Sequence, residues 1–179
     1  MSALEIATLG GGCFWCTEAV FSSLQGVHKV IPGYTGGQTA QPDYKSVCSG
    51  NTGHAEVVEV HFDPAQISFE TLLLVFFATH DPTTLNRQGH DMGTQYRSVV
   101  YYHDAAQEQA IQEIIRQLTE ESIYEQPIVT ECTAAGVFYP AENYHHAYYA
   151  QNPYQPYCQA VISPKLHKLQ KRYQHLLRR

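Results

Sequence analysis

The chain has 179 residues, 44% of them hydrophobic, and a formal net charge of −6; it is long enough to build one core without disulfide staples and too apolar to be disordered. Its acidic balance argues against nucleic acid as the main partner. No apolar run reaches the length of a membrane span, residues 72–78 being the strongest, and Met1 to Glu5 lacks the basic-then-apolar pattern of a signal peptide.

Residues 4–9 read as a strand running into the corner Gly10-Gly11-Gly12-Cys13-Phe14-Trp15-Cys16, and residues 17–24 then have helical character, with Ala19, Val20 and Leu24 on a core-facing side. Glycines let the backbone turn sharply there. A cysteine at the tip of a helix sits among unpaired N–H groups at the positive end of the helix dipole, an environment that favours the thiolate. Cys13 is therefore placed to be a nucleophile, Phe14 and Trp15 to line a pocket beside it, and Cys16 to share its face of the first turn.

Residues 27–34 form a second strand, in which Pro32 marks an edge or a bulge. The glycine-rich polar segment 36–53, punctuated by Tyr44, Val47 and Cys48, is expected to be an ordered loop packed on the domain. Residues 54–62 alternate as a strand: Glu56 shares the more apolar face with Val58, Val60 and Phe62, and Ala55, Val57, Glu59 and His61 share the other. A core-facing Glu56 would resist ionising because desolvation disfavours the charged form; at a frayed strand start it would reach water, and the sequence leaves both open.

Ser68 caps a strongly apolar helix that Asp81-Pro82 ends, and residues 83–95 form a second polar loop carrying His90, Asp91, Gly93 and Gln95. A strand over 96–102 follows, then a helix opened by Asp104 and Gln107 as a capping box, with Ala110, Ile111, Ile114, Ile115 and Leu118 at helical spacing, then a short strand over 128–132. Residues 141–150 could form a brief helix dense in tyrosine and histidine. Asn152-Pro153-Tyr154-Gln155-Pro156-Tyr157-Cys158 carries two prolines, so Cys158 is expected to ride an irregular, movable segment before Ser163-Pro164 starts a last helix. The cations of residues 165–179 read as its solvated face. This order predicts an α+β fold: a mixed sheet of split βαβ, ferredoxin-like type with helices packed on it, a long irregular C-terminal segment, and one catalytic domain over 1–179.

Five cysteines with no export signal point to the cytoplasm, where thiols are more often catalytic or metal-binding than structural. Only Cys13 and Cys16 have ligand spacing and no histidine pair matches them, so a metal site is not expected. A corner thiol flanked by aromatics, a glutamate that would keep its proton if it faces the core, tyrosines in polar loops and a second thiol on the tail suit a redox enzyme in which one cysteine reacts and another resolves the product as a disulfide. Two other readings compete: a thioredoxin-like thiol–disulfide oxidoreductase using Cys13-x-x-Cys16, and a non-enzymatic redox or metal-binding module.

Gly12-Cys13-Phe14-Trp15, followed by Thr17-Glu18, resembles the signature of the A-type peptide methionine sulfoxide reductases. Further blocks are similar to that family's in its order: Gly33-Tyr34-Thr35-Gly36-Gly37, Pro42-Asp43-Tyr44, Val47-Cys48-Ser49-Gly50, Gly53-His54-Ala55-Glu56-Val57, Gly93-Thr94-Gln95-Tyr96-Arg97-Ser98 and Ala141-Glu142-Asn143-Tyr144-His145. The resemblance implies that Cys13 attacks the sulfur of a methionine S-sulfoxide, free or in a protein. It implies too that protonated Glu56 gives its proton to the oxygen, while Tyr44 and Tyr96 hydrogen-bond it. Phe14 and Trp15 would hold the substrate methyl group, and Asp91 and His145 would complete the binding site. The sulfenic acid on Cys13 would condense with a second thiol, and thioredoxin would reduce the disulfide of a monomeric enzyme without a cofactor. Position 16 departs from the family's commoner glycine, so Cys16 and Cys158 compete as resolving thiols; Cys158 is expected to act first because a Cys13–Cys16 bridge would distort the first helical turn, and Cys48 and Cys132 are expected to be spectators.

Overall fold

A computed structural model describes residues 3–178. Strand β1 (Glu5–Gly10) enters the glycine corner, helix α1 (Phe14–Ser22) leaves it, and β2 (Val27–Thr35) returns. After a loop holding the short helix α2 (Tyr44–Cys48), β3 (Ala55–Phe62) lies between β1 and β2 and antiparallel to both, so β1 and β2 run parallel with one strand between them. Helix α3 (Phe69–Ala78) follows, capped by Ser68, whose Oγ accepts the Thr71 N–H at 3.1 Å. A two-residue hairpin, β4 (Arg87–Gln88) and β5 (Asp91–Met92), precedes β6 (Val99–Tyr102), which pairs with the free edge of β1. The expected split βαβ core, β1-α1-β2-β3-α3-β6, is thus present in the order β6-β1-β3-β2.

Helix α4 (Ala105–Glu120) starts at Asp104, whose Oδ1 accepts the Gln107 N–H; the Gln107 Oε1 reaches the His103 N–H, one residue short of a full capping box. Strands β7 (Glu131–Ala134) and β8 (Tyr139–Pro140) extend the sheet to the six-stranded order β7-β6-β1-β3-β2-β8, with β6–β7 the parallel pair that makes it mixed. Pro32 lies inside the sheet: it pairs with Val58 on one side, and on the other, beyond the end of β8, its carbonyl accepts the Ala141 N–H. The chain ends with the single helical turn α5 (Tyr148–Gln151) and helix α6 (Ser163–Tyr173), which packs Leu166, Leu169 and Tyr173 against α1 and the main core. No helix among the described residues is long and apolar enough to cross a membrane.

Both faces of β3 are covered, and the parity read from the sequence holds. Val58, Val60 and Phe62 belong to the main core under α1, α3 and α4, whereas Ala55 and Val57 join Val99 and Tyr101 in a smaller cluster on the other side. Three sequence expectations need correction. The segment 36–53 contains α2, whose cap is Asp43: its carboxylate accepts the Ser46 N–H at 2.8 Å while Ser46 Oγ accepts the Asp43 N–H at 3.0 Å. The strand expected over 128–132 starts three residues later. The irregular tail stops at Gln155: Pro156 takes the first position of a helical run, where its missing N–H costs nothing, and Cys158–Ile162 forms a π turn continuous with α6.

Candidate active site

The glycine corner brings α1 against the start of β3. A Cβ on Gly10 would lie 2.8 Å from the Glu56 carbonyl, and Gly12 takes φ +91°, so neither position accepts another residue without displacement or strain. The Gly12 N–H donates to the Tyr96 carbonyl at 3.2 Å, fixing the turn Thr94–Tyr96 to the same corner. Cys13 follows as the N-cap of α1, 7% exposed, with its side chain free of any capping bond. The Phe14 N–H, the next orphan donor of the helix, reaches 3.2 Å to Glu56 Oε1.

Glu56 is 1% exposed, which settles the choice left open by the sequence, and its Oε2 is buried without a hydrogen-bond partner. Burial pushes its pKa up to about 8, against the pull of the Phe14 N–H and with a further push from Asp91. The carboxyl is therefore largely protonated at neutral pH. Burial also pushes the Cys13 thiol well above its ordinary value, and ionised Glu56 would raise it further; the Trp15 N–H works the other way. A buried helix tip does not by itself make a thiolate here, because desolvation outweighs the helix amides. Glu56 and Cys13 instead share a pocket that tolerates one negative charge better than two, so the neutral acid is the state in which the thiolate forms most easily.

Aromatic rings wall this pocket. The Tyr44 ring stacks over Phe14 and Trp15, each at a centroid distance of 6.4 Å, and the hydroxyls of Tyr44 and Tyr96 are held neutral by burial and by nearby Glu56. His145, fully buried, sits 4.5 Å from the Tyr44 ring and accepts the Trp15 Nε1–H at Nδ1 over 2.9 Å. With Nδ1 as acceptor the neutral ring carries its proton on Nε2, and burial holds the pKa below its usual value. Asp91 accepts the Tyr157 hydroxyl proton at 2.6 Å. Cys16, 2% exposed, lies 3.6 Å from the same hydroxyl oxygen. Cys158 is fully buried near Cys16 at the start of a helical turn, rather than on the irregular segment that the prolines implied.

The residues expected to serve the site thus gather at the glycine corner and the start of β3, with Cys158 beside Cys16, and four more join them. Tyr157 bridges Asp91 and Cys16. Tyr148 stacks flush on Trp15, at 3.8 Å and 7° between planes. Glu142 accepts the Tyr44 N–H and the Tyr34 hydroxyl, each at 3.0 Å, so it sets where α2 begins. Glu18 accepts the Ala147 N–H at 2.8 Å, fastening the left-handed residue before α5 to α1. Glu18 and Glu142 stand inside the family-like blocks; Tyr148 and Tyr157 carry no signal beyond an unusual density of tyrosine. Cys132 lies on β7, away from the pocket, and Cys48, exposed, ends α2 four residues after Tyr44.

The family model for peptide methionine sulfoxide reductase matches residues 5–177. A peptide methionine sulfoxide reductase MsrA from Chromobacterium violaceum is 59% identical over 97% of this chain and 99% of its own. Among solved structures, Mxr1 from Saccharomyces cerevisiae in reduced form is similar with a TM-score of 0.80 and 34% identity, covering 87% of this chain and 90% of its own. Methionine sulfoxide reductase A of Corynebacterium diphtheriae is similar with a TM-score of 0.76 and 35% identity, over 87% and 79% of the two chains.

Proposed function

The chain belongs to the peptide methionine sulfoxide reductase family, and from that premise we propose that it reduces the S epimer of methionine sulfoxide, free or within proteins, with thioredoxin as reductant. The observation that carries the mechanism is Glu56: a buried carboxyl beside the nucleophile, proton retained to about pH 8, one oxygen held by the Phe14 N–H and the other unpartnered. Cys13, as thiolate, attacks the sulfoxide sulfur. The oxygen gains basicity as its bond to the original sulfur weakens, takes the Glu56 proton, and is steadied by the Tyr44 and Tyr96 hydroxyls. Methionine leaves and Cys13 keeps the oxygen as a sulfenic acid. Condensation with a second thiol expels water and leaves a disulfide, and a reductant dithiol restores both thiols.

Phe14 and Trp15 form the wall for the methyl group, with Asp91 and His145 holding Tyr157 and the Trp15 indole in place. In this reading Cys158 resolves before Cys16, residues 1–179 act as one catalytic unit, and the enzyme is a cytoplasmic monomer; five free thiols suit such a compartment. A pocket with fixed walls around the sulfur and a fixed acid on one side reads chirality. A coupled thioredoxin assay on separated epimers should give turnover with the S form and at least about a hundredfold less with the R form. Equal rates would refute the assignment.

A further inference from the structure

Charge is divided along this chain with unusual sharpness. All 17 acidic residues lie at or before Glu142, with only five lysines and arginines, a net charge of −12. After Glu142 there is no acid and there are six cations, a net charge of +6. Five of the six are described: Lys165, Lys168, Lys171, Arg172 and Arg178. Lys168, Lys171 and Arg172 are exposed, with His167 and His175 exposed beside them, so the outer face of α6 is a basic strip at helical spacing, while the Arg178 guanidinium donates to the Ser22 and Val27 carbonyls. The ion pairs among the described residues, Arg97–Glu131, Arg116–Glu120 and the contact of His61 with Glu59, involve none of these cations. Asp81 and Glu125 line the groove beside Lys165 and Lys168 but leave Lys171 and Arg172 outside it.

The strip is continuous with the redox thiols. Cys158 opens the π turn that runs directly into α6, and Lys165, at the first turn of α6, lines a small cleft with Gly11 and Cys16. A solvated helix face needs cations of neither this number nor this sign; a balanced mixture serves solubility as well. An unpaired single-sign strip beside a reaction centre steers and orients a partner of opposite charge.

We infer that the exposed face of α6 is the docking surface for an acidic protein dithiol, the reductant that returns two electrons to the enzyme. This rests on the disulfide-forming reading above. One thiolate of the docked reductant attacks Cys158 Sγ, the Cys13–Cys158 bond breaks and Cys13 leaves as thiolate. The reductant's second thiol then attacks the mixed disulfide, Cys158 is released, and the reductant departs as a disulfide with its two protons passed to Cys13 and Cys158.

The test compares an acidic thioredoxin with dithiothreitol as reductants for the unaltered enzyme and for Lys171→Glu/Arg172→Glu. For the unaltered enzyme, KM for thioredoxin should rise at least about tenfold as salt is raised from a tenth of physiological strength to above it, and turnover driven by dithiothreitol should not change. The double variant should show a KM for thioredoxin raised about tenfold even at low salt, a flattened salt dependence, and unaltered dithiothreitol-driven turnover. Lys171→Gln/Arg172→Gln should show a smaller shift in the same direction, which guards against a folding defect from charge reversal. Thioredoxin kinetics indifferent to salt and to both variants overturn the inference, as does a parallel loss with both reductants, or loss of binding to anionic vesicles or duplex DNA with thioredoxin kinetics intact. If dithiothreitol drives no methionine sulfoxide reduction by the unaltered enzyme, the reaction itself is misassigned, a result distinct from misplacing the docking face.

Discussion

Replacing Glu56 with glutamine should lower kcat/KM for methionine S-sulfoxide by about 10²–10⁴ and, at the same time, make the protein more stable above neutral pH. Glutamine keeps an oxygen for the Phe14 N–H and fills the same volume, but has no acidic proton to give. The stability effect follows from linkage. A glutamate ionises near 4.5 in the unfolded chain and at about 8 in the fold. Below the lower value both states are neutral and the burial costs nothing. Between the two the unfolded chain releases a proton that the folded one retains, so stability is lost progressively as pH rises; above about 8 the deficit is complete. The variant avoids it, gaining about 2–5 kcal/mol at pH 8 and nothing at pH 4. Urea denaturation at the two pH values checks the difference. Disulfide exchange by a thioredoxin-like mechanism has no use for this acid, so the same variant should leave reduction of a small disulfide unchanged.

Replacing Cys158 with serine should separate the first turnover from those that follow. In the absence of reductant the variant should still form one methionine per enzyme, because Cys13, Glu56 and the tyrosines are untouched. With thioredoxin present, steady-state turnover should fall at least about tenfold, whereas Cys16→Ser should stay within about threefold of the parent. Peptide mapping of the oxidised parent after one turnover should recover a Cys13–Cys158 bridge; a Cys13–Cys16 bridge as sole product refutes the order. In the structure Cys158 is fully buried near Cys16, and the preceding Tyr157 donates its hydroxyl to Asp91 and lies 3.6 Å from Cys16 Sγ. Cys158 opens the π turn Cys158–Ile162, a helical irregularity frequent at functional sites, and formation of the bridge is expected to rearrange that turn.

Local rules carried much of this architecture. Alternation along β3 placed Glu56 on the core side, and Ser68, Asp104 and the glycine corner announced their helix starts through short-range chemistry. What the sequence concealed depends on partners far along the chain. Pro156 reads as a breaker by composition and acts as a helix start by position. Tyr157 meets Asp91 across 66 residues, and Tyr34 meets Glu142 across 108, neither of which any periodicity encodes. The Cys13 thiol is the sharper case. A helix tip lowers a thiol's pKa most where water still reaches it; Cys13 is 7% exposed, and the desolvation that burial imposes reverses the sign.

The most direct test of the mechanism is an infrared difference titration of the carboxyl at position 56, taking Glu56→Gln as the blank. A protonated-carboxyl band that persists at neutral pH, fades as pH rises through about 8, and is missing from the variant is the predicted result. A carboxylate already formed at pH 6, titrating near 4.5 like an exposed glutamate, would contradict the buried acid on which the reduction depends.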